Sequence, residues 1–485
     1  MTHTYFILAS TALLSLATAQ TTCLSSLRPS YSATVASGYQ VGLVATGLAR
    51  PRGIQFDRAG HLLVVEASRG DDPAISALTL NDGGGICVGE ASRRTVVRGQ
   101  GVSVIPLNKY AMAHCWAQVN HGIAISNDGT VLYASSMESV FSWTYDPASQ
   151  SASEQRTLVG AMSGSDHRTR TLLLSEMVND TLVISRGSDS NIDPVAADIT
   201  SGHSQLRAFN IGNLTDDQNY TYASDGLRLG WGLRNSVGVA EHPITGGIWS
   251  VENSADNLRR DGASIRQDNP GEELNFHGYL NGTEYERQGG NYGYPQCYAV
   301  WESEALLPNA NLPVGAQFAA DGDGGNDTYC AAQIPPRLTF IAHQAPLDIK
   351  FNNSGTEAWI SFHGSWNRDV PSGYKLAMVS FENGEPVAAP DNKTAALDIF
   401  ANVDNDACPD NCFRPAGLAF DAQGRLFMTS DATGEIYVIA RESMSSPAGS
   451  ATNQSSQTGV AQRVGAAASS MLGLTVLVVY GLIFA

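Results

Sequence analysis

Arginine, histidine and asparagine recur at one phase of a repeated strand pattern. Arg52, His121, the Arg234-Asn235 pair and Arg414 each stand at the start of a short apolar strand, and His343 stands two positions before another. An Asp/Asn/Gly turn and a second apolar strand follow, ending at Glu66, Ser135, Arg186, Asn253-Ser254, His363 and Asp431. Guanidinium forks match carboxylates two bonds at a time, and a neutral imidazole can take a proton near pH 7. Brought to one place, such a set makes a cationic pocket for a small polyanion. The plainer role is structural: Arg and His before a strand also cap turns or form ion pairs. For any single residue of the set both roles stand.

The elements that must position these residues are hairpins. "RGIQFDRAGHLLVVEA" starts at Arg52, "HGIAISNDGTVLYASS" at His121 and "TRTLLLSEMVNDTLVISRGSDSN" at Thr169. "GLRNSVGVAEHPITGGIWSVENS" starts at Gly232, "APLDIKFNNSGTEAWISFHGSWNR" at Ala345 and "RPAGLAFDAQGRLFMTSDATGEIYVI" at Arg414. Each is a strand of about five residues, a polar turn and a return strand. Six such copies at semi-regular spacing predict an all-β, six-bladed β-propeller, with the intervening residues as outer strands and loops. An irregular β-sandwich is the competing architecture. In a propeller the innermost strands line the central channel, so the starts of all six converge on one mouth. The phased Arg, His and Asn residues then share a site.

The chain has 485 residues, 48 of them Gly, with 16% charged and a net charge of −18. Abundant Gly suits many tight turns. The acidity argues against nucleic acid as a partner, since phosphate binding needs a basic surface. Residues 1–19 form an apolar run ending in Ala17-Thr18-Ala19, the pattern of a cleaved signal peptide. N-x-[ST] sequons at Asn179, Asn213, Asn219, Asn281, Asn326, Asn352, Asn392 and Asn453 agree with a secreted glycoprotein. Of the seven cysteines, Cys297 and Cys330, and Cys408 and Cys412, are the pairs that proximity favours; the odd count leaves one thiol over. Residues 20–441 hold the propeller. Residues 442–463 are a Ser/Gly/Thr-rich linker, and 464–485 are apolar to the chain end with no basic flank. That ending matches a GPI-anchor signal and hence an extracellular, cell-surface location; a tail-anchored helix is the alternative.

Several stretches carry a resemblance: "NHGIAISNDG", "GLRNSVGVAEHP", "GEELNFHGYLNG", "GGNYGYP", "HQAPLDIKF", "FHGSWNRDVPSGYKL" and "RPAGLAFDAQGRLF". With them the chain resembles the soluble pyrroloquinoline-quinone (PQQ)-dependent sugar dehydrogenases, in the L-sorbosone dehydrogenase-like and fungal pyranose dehydrogenase branch. The resemblance spans roughly residues 40–441. It implies that PQQ, an ortho-quinone with three carboxylates, lies across the mouth with a pyranose or other aldose above it. Oxidation would occur at the anomeric carbon, with hydride passing to the quinone and His121 taking the hydroxyl proton. Arg234, Asn235 and Arg414 match cofactor-binding positions. Arg52 joins them by phase alone.

The resemblance also implies Ca²⁺. Its ligands at the quinone would be the carbonyls of Ser254 and Ala255, where the family has Gly-Pro and this chain departs from it. A second, structural Ca²⁺ would use Glu273 and the Tyr292 carbonyl. In "HGSWNR", His363 or Arg368 would stand where bacterial glucose enzymes use a Lys, and Trp366 would offer a stacking face or else belong to the core. The implied electron partner is a separate one-electron acceptor such as a cytochrome. Two other function classes compete: a Ca²⁺-dependent propeller lactonase, which needs carboxylates at the channel centre, and a non-catalytic sugar-binding propeller at the cell surface. "DGDGGND" at 321–327 misses the EF-hand spacing and reads as a solvated loop. "RGD" at 69–71 reads as a chance tripeptide.

Overall fold

The computed structural model describes residues 27–67, 73–99, 119–306 and 311–442. The signal-peptide, linker and tail segments, Cys23, Cys115 and the RGD tripeptide lie outside them, apart from Glu442 at the linker's start. Six sheets of four or more strands form the blades. Blade 1 runs Pro51–Phe56, Leu62–Glu66, Pro73–Asp82 and Val88–Arg98; blade 2 begins Ile123–Ile125, Val131–Ser135, Val140–Asp146 and Ser151–Gly160. Blade 3 is Leu172–Leu174, Thr181–Arg186, Gln205–Asn210 and Leu227–Trp231. Blade 4 is Ser236–Glu241, Gly247–Glu252, Glu272–Tyr279 and Leu338–Phe340. Blade 5 is Pro346–Phe351, Glu357–Phe362, Lys375–Glu382 and Ala396–Asn402, with Ala33–Val35 added at its edge. Blade 6 takes Pro415–Phe420, Leu426–Ser430 and Glu435–Arg441 from late in the chain and Tyr39–Ala45 from early in it, paired antiparallel. This shared blade fastens the ring. The first strands of successive blades neighbour one another around a closed circle.

The expected hairpins are the inner two strands of each blade. Their turns repeat one piece of chemistry, an acceptor side chain that binds the amides across the turn. Asp57 accepts the Ala59 and His61 amides, and Asp421 those of Gln423 and Arg425. Apolar residues from facing blades fill the seams. Six hydrophobic clusters lie between successive blades, the one between blades 4 and 5 built on Trp249, Phe276, Phe340, Phe362 and Phe381.

Glycines near the start of the inner strands have a specific purpose. A Cβ on Gly53 would lie 2.1 Å from the His121 carbonyl oxygen, and one on Gly417 would lie 2.2 Å from that of Arg52. Only a residue without a side chain lets the inner strands close this tightly. The close approach draws Arg52, His121 and Arg414 together at the top of the channel.

Both proximity-favoured disulfides form, and Cys87 is disulfide-bonded as well. Cys297–Cys330 staples the long excursion between the last two strands of blade 4. That excursion delivers Tyr294, whose hydroxyl accepts from the Asp193 amide at 2.7 Å beneath the mouth loops. The 321–327 loop is consumed locally: Asp321 accepts two backbone amides, Asp327 pairs with Arg260 at 2.5 Å, and Asp323 accepts the Tyr298 hydroxyl.

Candidate functional site

The starts of the inner strands and the ends of the second strands meet around a cavity of about 640 Å³ at one channel mouth. Arg52, Arg234, Asn235, Ser254, His363, Trp366 and Arg414 line it, with His343, Asp256 and Glu272. His121 lies one layer deeper. It is buried, borders the channel below, and its Nδ1 meets Arg52 Nε at 3.4 Å. Arg368 does not reach the mouth. Its guanidinium binds the Gln267, Ala342 and Val370 carbonyls, so of the pair His363 and Arg368 it is His363 that faces the cavity.

The three mouth arginines are not equivalent. Arg234 is consumed by the protein: it donates to the Asn191 carbonyl and side chain, to the Asn253 carbonyl, and to Asp256 at 3.2 Å. Its own backbone amide donates to Glu252 at 2.6 Å. Arg52 is paired with Asp431 at 2.6 Å. Arg414 donates to the His363 and Gly364 carbonyls and, among the described residues, makes no salt bridge. The pocket is therefore less cationic than the count of Arg and His alone conveys. Two of its three guanidinium groups carry a counter-charge, and Arg414 is left to meet an incoming anion.

The histidines are neutral by environment. Burial lowers His121 well below the ordinary imidazole range, with Arg52 and Lys350 pushing the same way. Burial also lowers His363 and His343 to about 4. His363 Nε2 lies 2.7 Å from Asp431 Oδ1, the contact of an imidazole oriented by a carboxylate. Burial pushes the Asp431 carboxyl up, but His363 and Arg52 outweigh it and hold the group well below the usual carboxylate range. His343, which lines the mouth, has its Nε2 buried without a partner. Trp366 is 66% exposed on the rim, so it belongs to the surface and not to the core.

The oxygen sites fall into two groups. At the mouth, Glu272 accepts the amides of Ser254 and Ala345, each at 2.8 Å, and brackets the loop expected to face a cation. Ser254 lines the cavity; the Ala255 side chain is buried in an apolar cluster behind it. Inside blade 4, Glu273 faces Glu252 across the strands, and Asn275 Nδ2 donates to both. The Asn275 and Gln317 amide oxygens are buried without partners, and the Tyr292 carbonyl accepts from Gln317. Burial, with Glu273 nearby, raises Glu252, and burial raises Glu273 to about 7. No cluster of three or more His, Cys, Asp or Glu side chains suited to a metal is present among the described residues. Both places nonetheless offer hard oxygen donors of the kind Ca²⁺ takes.

Sequence reasoning passed over Asn191, Asp256 and Glu272. For Glu272 the signal was strand alternation: adjacent residues point to opposite faces, so Glu272 serves the mouth while Glu273 serves the blade interior. Asn191 and Asp256 sit in irregular loops with no periodicity to expose them.

The chain is similar to proteins of known structure and activity. The chain is 44% identical over 445 residues to a pyrroloquinoline quinone-dependent sugar dehydrogenase of Hypocrea jecorina, covering 90% of this chain and 96% of that one. A calcium structure of the Trichoderma reesei carbohydrate-active enzyme of family AA12 superposes with a TM-score of 0.79 at 45% identity, covering 86% of this chain and 99% of that one. The holo form of the pyranose dehydrogenase PQQ domain from Coprinopsis cinerea superposes with a TM-score of 0.76 at 34% identity, over 86% and 99%. The TrAA12-like family profile matches residues 33–442, and the chain belongs to that family.

Proposed function

We propose that the protein is a PQQ- and Ca²⁺-dependent oxidoreductase that oxidises pyranose sugars at the anomeric carbon. The observation that carries this reading is the convergence of Arg52, Asn235, His363 and Arg414 on one cavity directly above His121. Bound PQQ supplies the hydride acceptor.

The protein's own residues do the rest. Arg414 offers its guanidinium to a cofactor carboxylate. Arg52, held by Asp431, sets its guanidinium at the cavity floor beside His121. His121, neutral at pH 7, takes the proton of the sugar hydroxyl. The exposed Trp366 ring gives the sugar an apolar face. Ser254 and Ala255 present the cation-facing backbone at the mouth, and Glu273 with Tyr292 serves a second, structural Ca²⁺. His343 Nε2 at the mouth gains the partner it lacks.

We further propose a secreted glycoprotein held at the cell surface by a GPI anchor, passing electrons to a one-electron acceptor such as a cytochrome. Reconstitution with PQQ and Ca²⁺, followed by dye reduction across a panel of aldoses, tests the activity. It also separates a dehydrogenase from a lactonase or a binding propeller, because neither of those would reduce a dye.

A further inference from the structure

His121 stands between two cavities. Above it, Arg52 reaches its Nδ1 from the mouth. Below it, a second cavity of about 240 Å³ runs down the channel, lined by the first strands of blades 1 to 5. Each of these strands starts at the mouth, so later residues lie deeper. Thr171 and Asp348 sit near the His121 level; Gln55, Lys350 and Glu241 lie toward the far face.

This cavity has room for several waters and the polar groups to hold them. Asp348 accepts from Lys350 Nζ at 2.7 Å, and Lys350 keeps a partly exposed ammonium on the channel. Glu241 is held by Ser175 and the Glu176 amide at the deep end. The charged groups acting on His121 are Arg52 and Asp431 from above and Lys350 from below.

We propose that this lower channel is the route by which the proton taken by His121 leaves the protein. The inference rests on the dehydrogenase reading. In that reaction the sugar O–H bond breaks and its proton joins a His121 nitrogen. The O–H electron pair becomes the second bond of the new carbonyl, and bound quinone would supply the two-electron acceptor for the C–H hydride. Cofactor and sugar bound in the mouth cavity would cover the upper side of His121. The proton then passes from His121 to channel water and out at the far face, which restores the neutral imidazole.

The test uses PQQ- and Ca²⁺-loaded protein with a bulky side chain placed in the channel, Gln55→Trp or Leu173→Trp, two positions far from the mouth. One turnover is started with an aldose in weak buffer containing a pH dye. Quinone absorbance without an acceptor reports hydride transfer; in a parallel run a ferricenium salt takes the two electrons, so that each oxidised sugar releases two protons net, and the dye reports that release. First-turnover quinone reduction should match the parental protein while proton release slows at least tenfold. A reading independent of turnover is exchange of the His121 ring C2 hydrogen with deuterated water, followed by mass spectrometry with the cofactor bound. It should slow in the same variants. Proton release and exchange at parental rates in either folded variant overturn the channel route while leaving the dehydrogenase reading intact. If no aldose reduces bound quinone in the parental protein, the functional reading fails and the route falls with it. Melting temperature shows which variant is folded, and either one decides.

Discussion

Asp431 and Arg52 form an ion pair of 2.6 Å across the seam between the last blade and the first. The same carboxylate meets His363 of blade 5 at 2.7 Å, and Arg52 extends to His121 of blade 2. One anion thus aligns groups from three other blades.

Replacing that anion should show in stability and in pH. Asp431→Asn leaves the partly buried Arg52 without its counter-charge, a loss of up to about 3 kcal/mol, the lower end of the cost of breaking a buried pair. The folded Asp431 pKa lies below its unfolded value. Its contribution is therefore present above the unfolded carboxylate range and fades only as pH falls toward the folded pKa. Urea unfolding of both proteins at pH 7 should show the full gap, and unfolding below about pH 4 a narrower one. A gap that widens in acid contradicts the assignment.

His121→Ala should retain PQQ within a few-fold and lower turnover by about 10²–10⁴, the range for a positioned general base. Stopped-flow reduction of the loaded variant measures this directly. Parental rates would remove His121 from the chemistry.

The unequal arginines predict unequal variants. Arg414→Ala should weaken PQQ binding at least tenfold, about 1.4 kcal/mol, with little change in melting temperature. Arg234→Ala should chiefly destabilise the fold, because it strips the Asn191 and Asp256 contacts beneath the loop. Titration calorimetry and thermal melts on the pair separate the two outcomes. Equal losses of affinity at equal stability would show that Arg234 also anchors the cofactor.

Burial raises Glu272 to about 8 and Glu273 to about 7. Between the unfolded carboxylate range and these values the folded state binds more protons than the unfolded one. Stability of the metal-free protein should therefore fall as pH rises from 6 to 8. Ca²⁺ at the blade 4 carboxylates should offset that fall, so melting temperatures with and without a chelator should diverge more at pH 8 than at pH 6. Parallel curves would remove Glu273 from any cation site.

The last strand of blade 6 ends at Arg441. Truncation after that residue should give a soluble, active protein. The full chain should be membrane-bound and released by a phospholipase that cleaves GPI anchors. Release by detergent alone would mean a retained tail helix.

Much of the fold was legible because each inner hairpin carries its own turn and its own apolar pair. The ring closure was not, because Tyr39–Ala45 finds its partner at the opposite end of the chain and no local pattern records such a pairing. Phase alone located Arg52, His363 and Arg414 at one mouth. It did not reveal that Arg234 is consumed by Asn191 and Asp256, that Arg368 turns to carbonyls, or that Glu272 and not its neighbour brackets the Ser254 loop. Those facts depend on irregular loops folding back over the mouth, within blade 4 and from its neighbours.

The central claim is that this mouth binds a quinone and lets a sugar reduce it. The most direct measurement is the absorbance of PQQ bound to the Ca²⁺-loaded protein before and after addition of a series of aldoses. The account predicts stoichiometric PQQ binding and reduction of the bound quinone by at least one pyranose, slowed about 10²–10⁴-fold in His121→Ala. Absence of PQQ binding, or bound quinone that no aldose reduces, would contradict it.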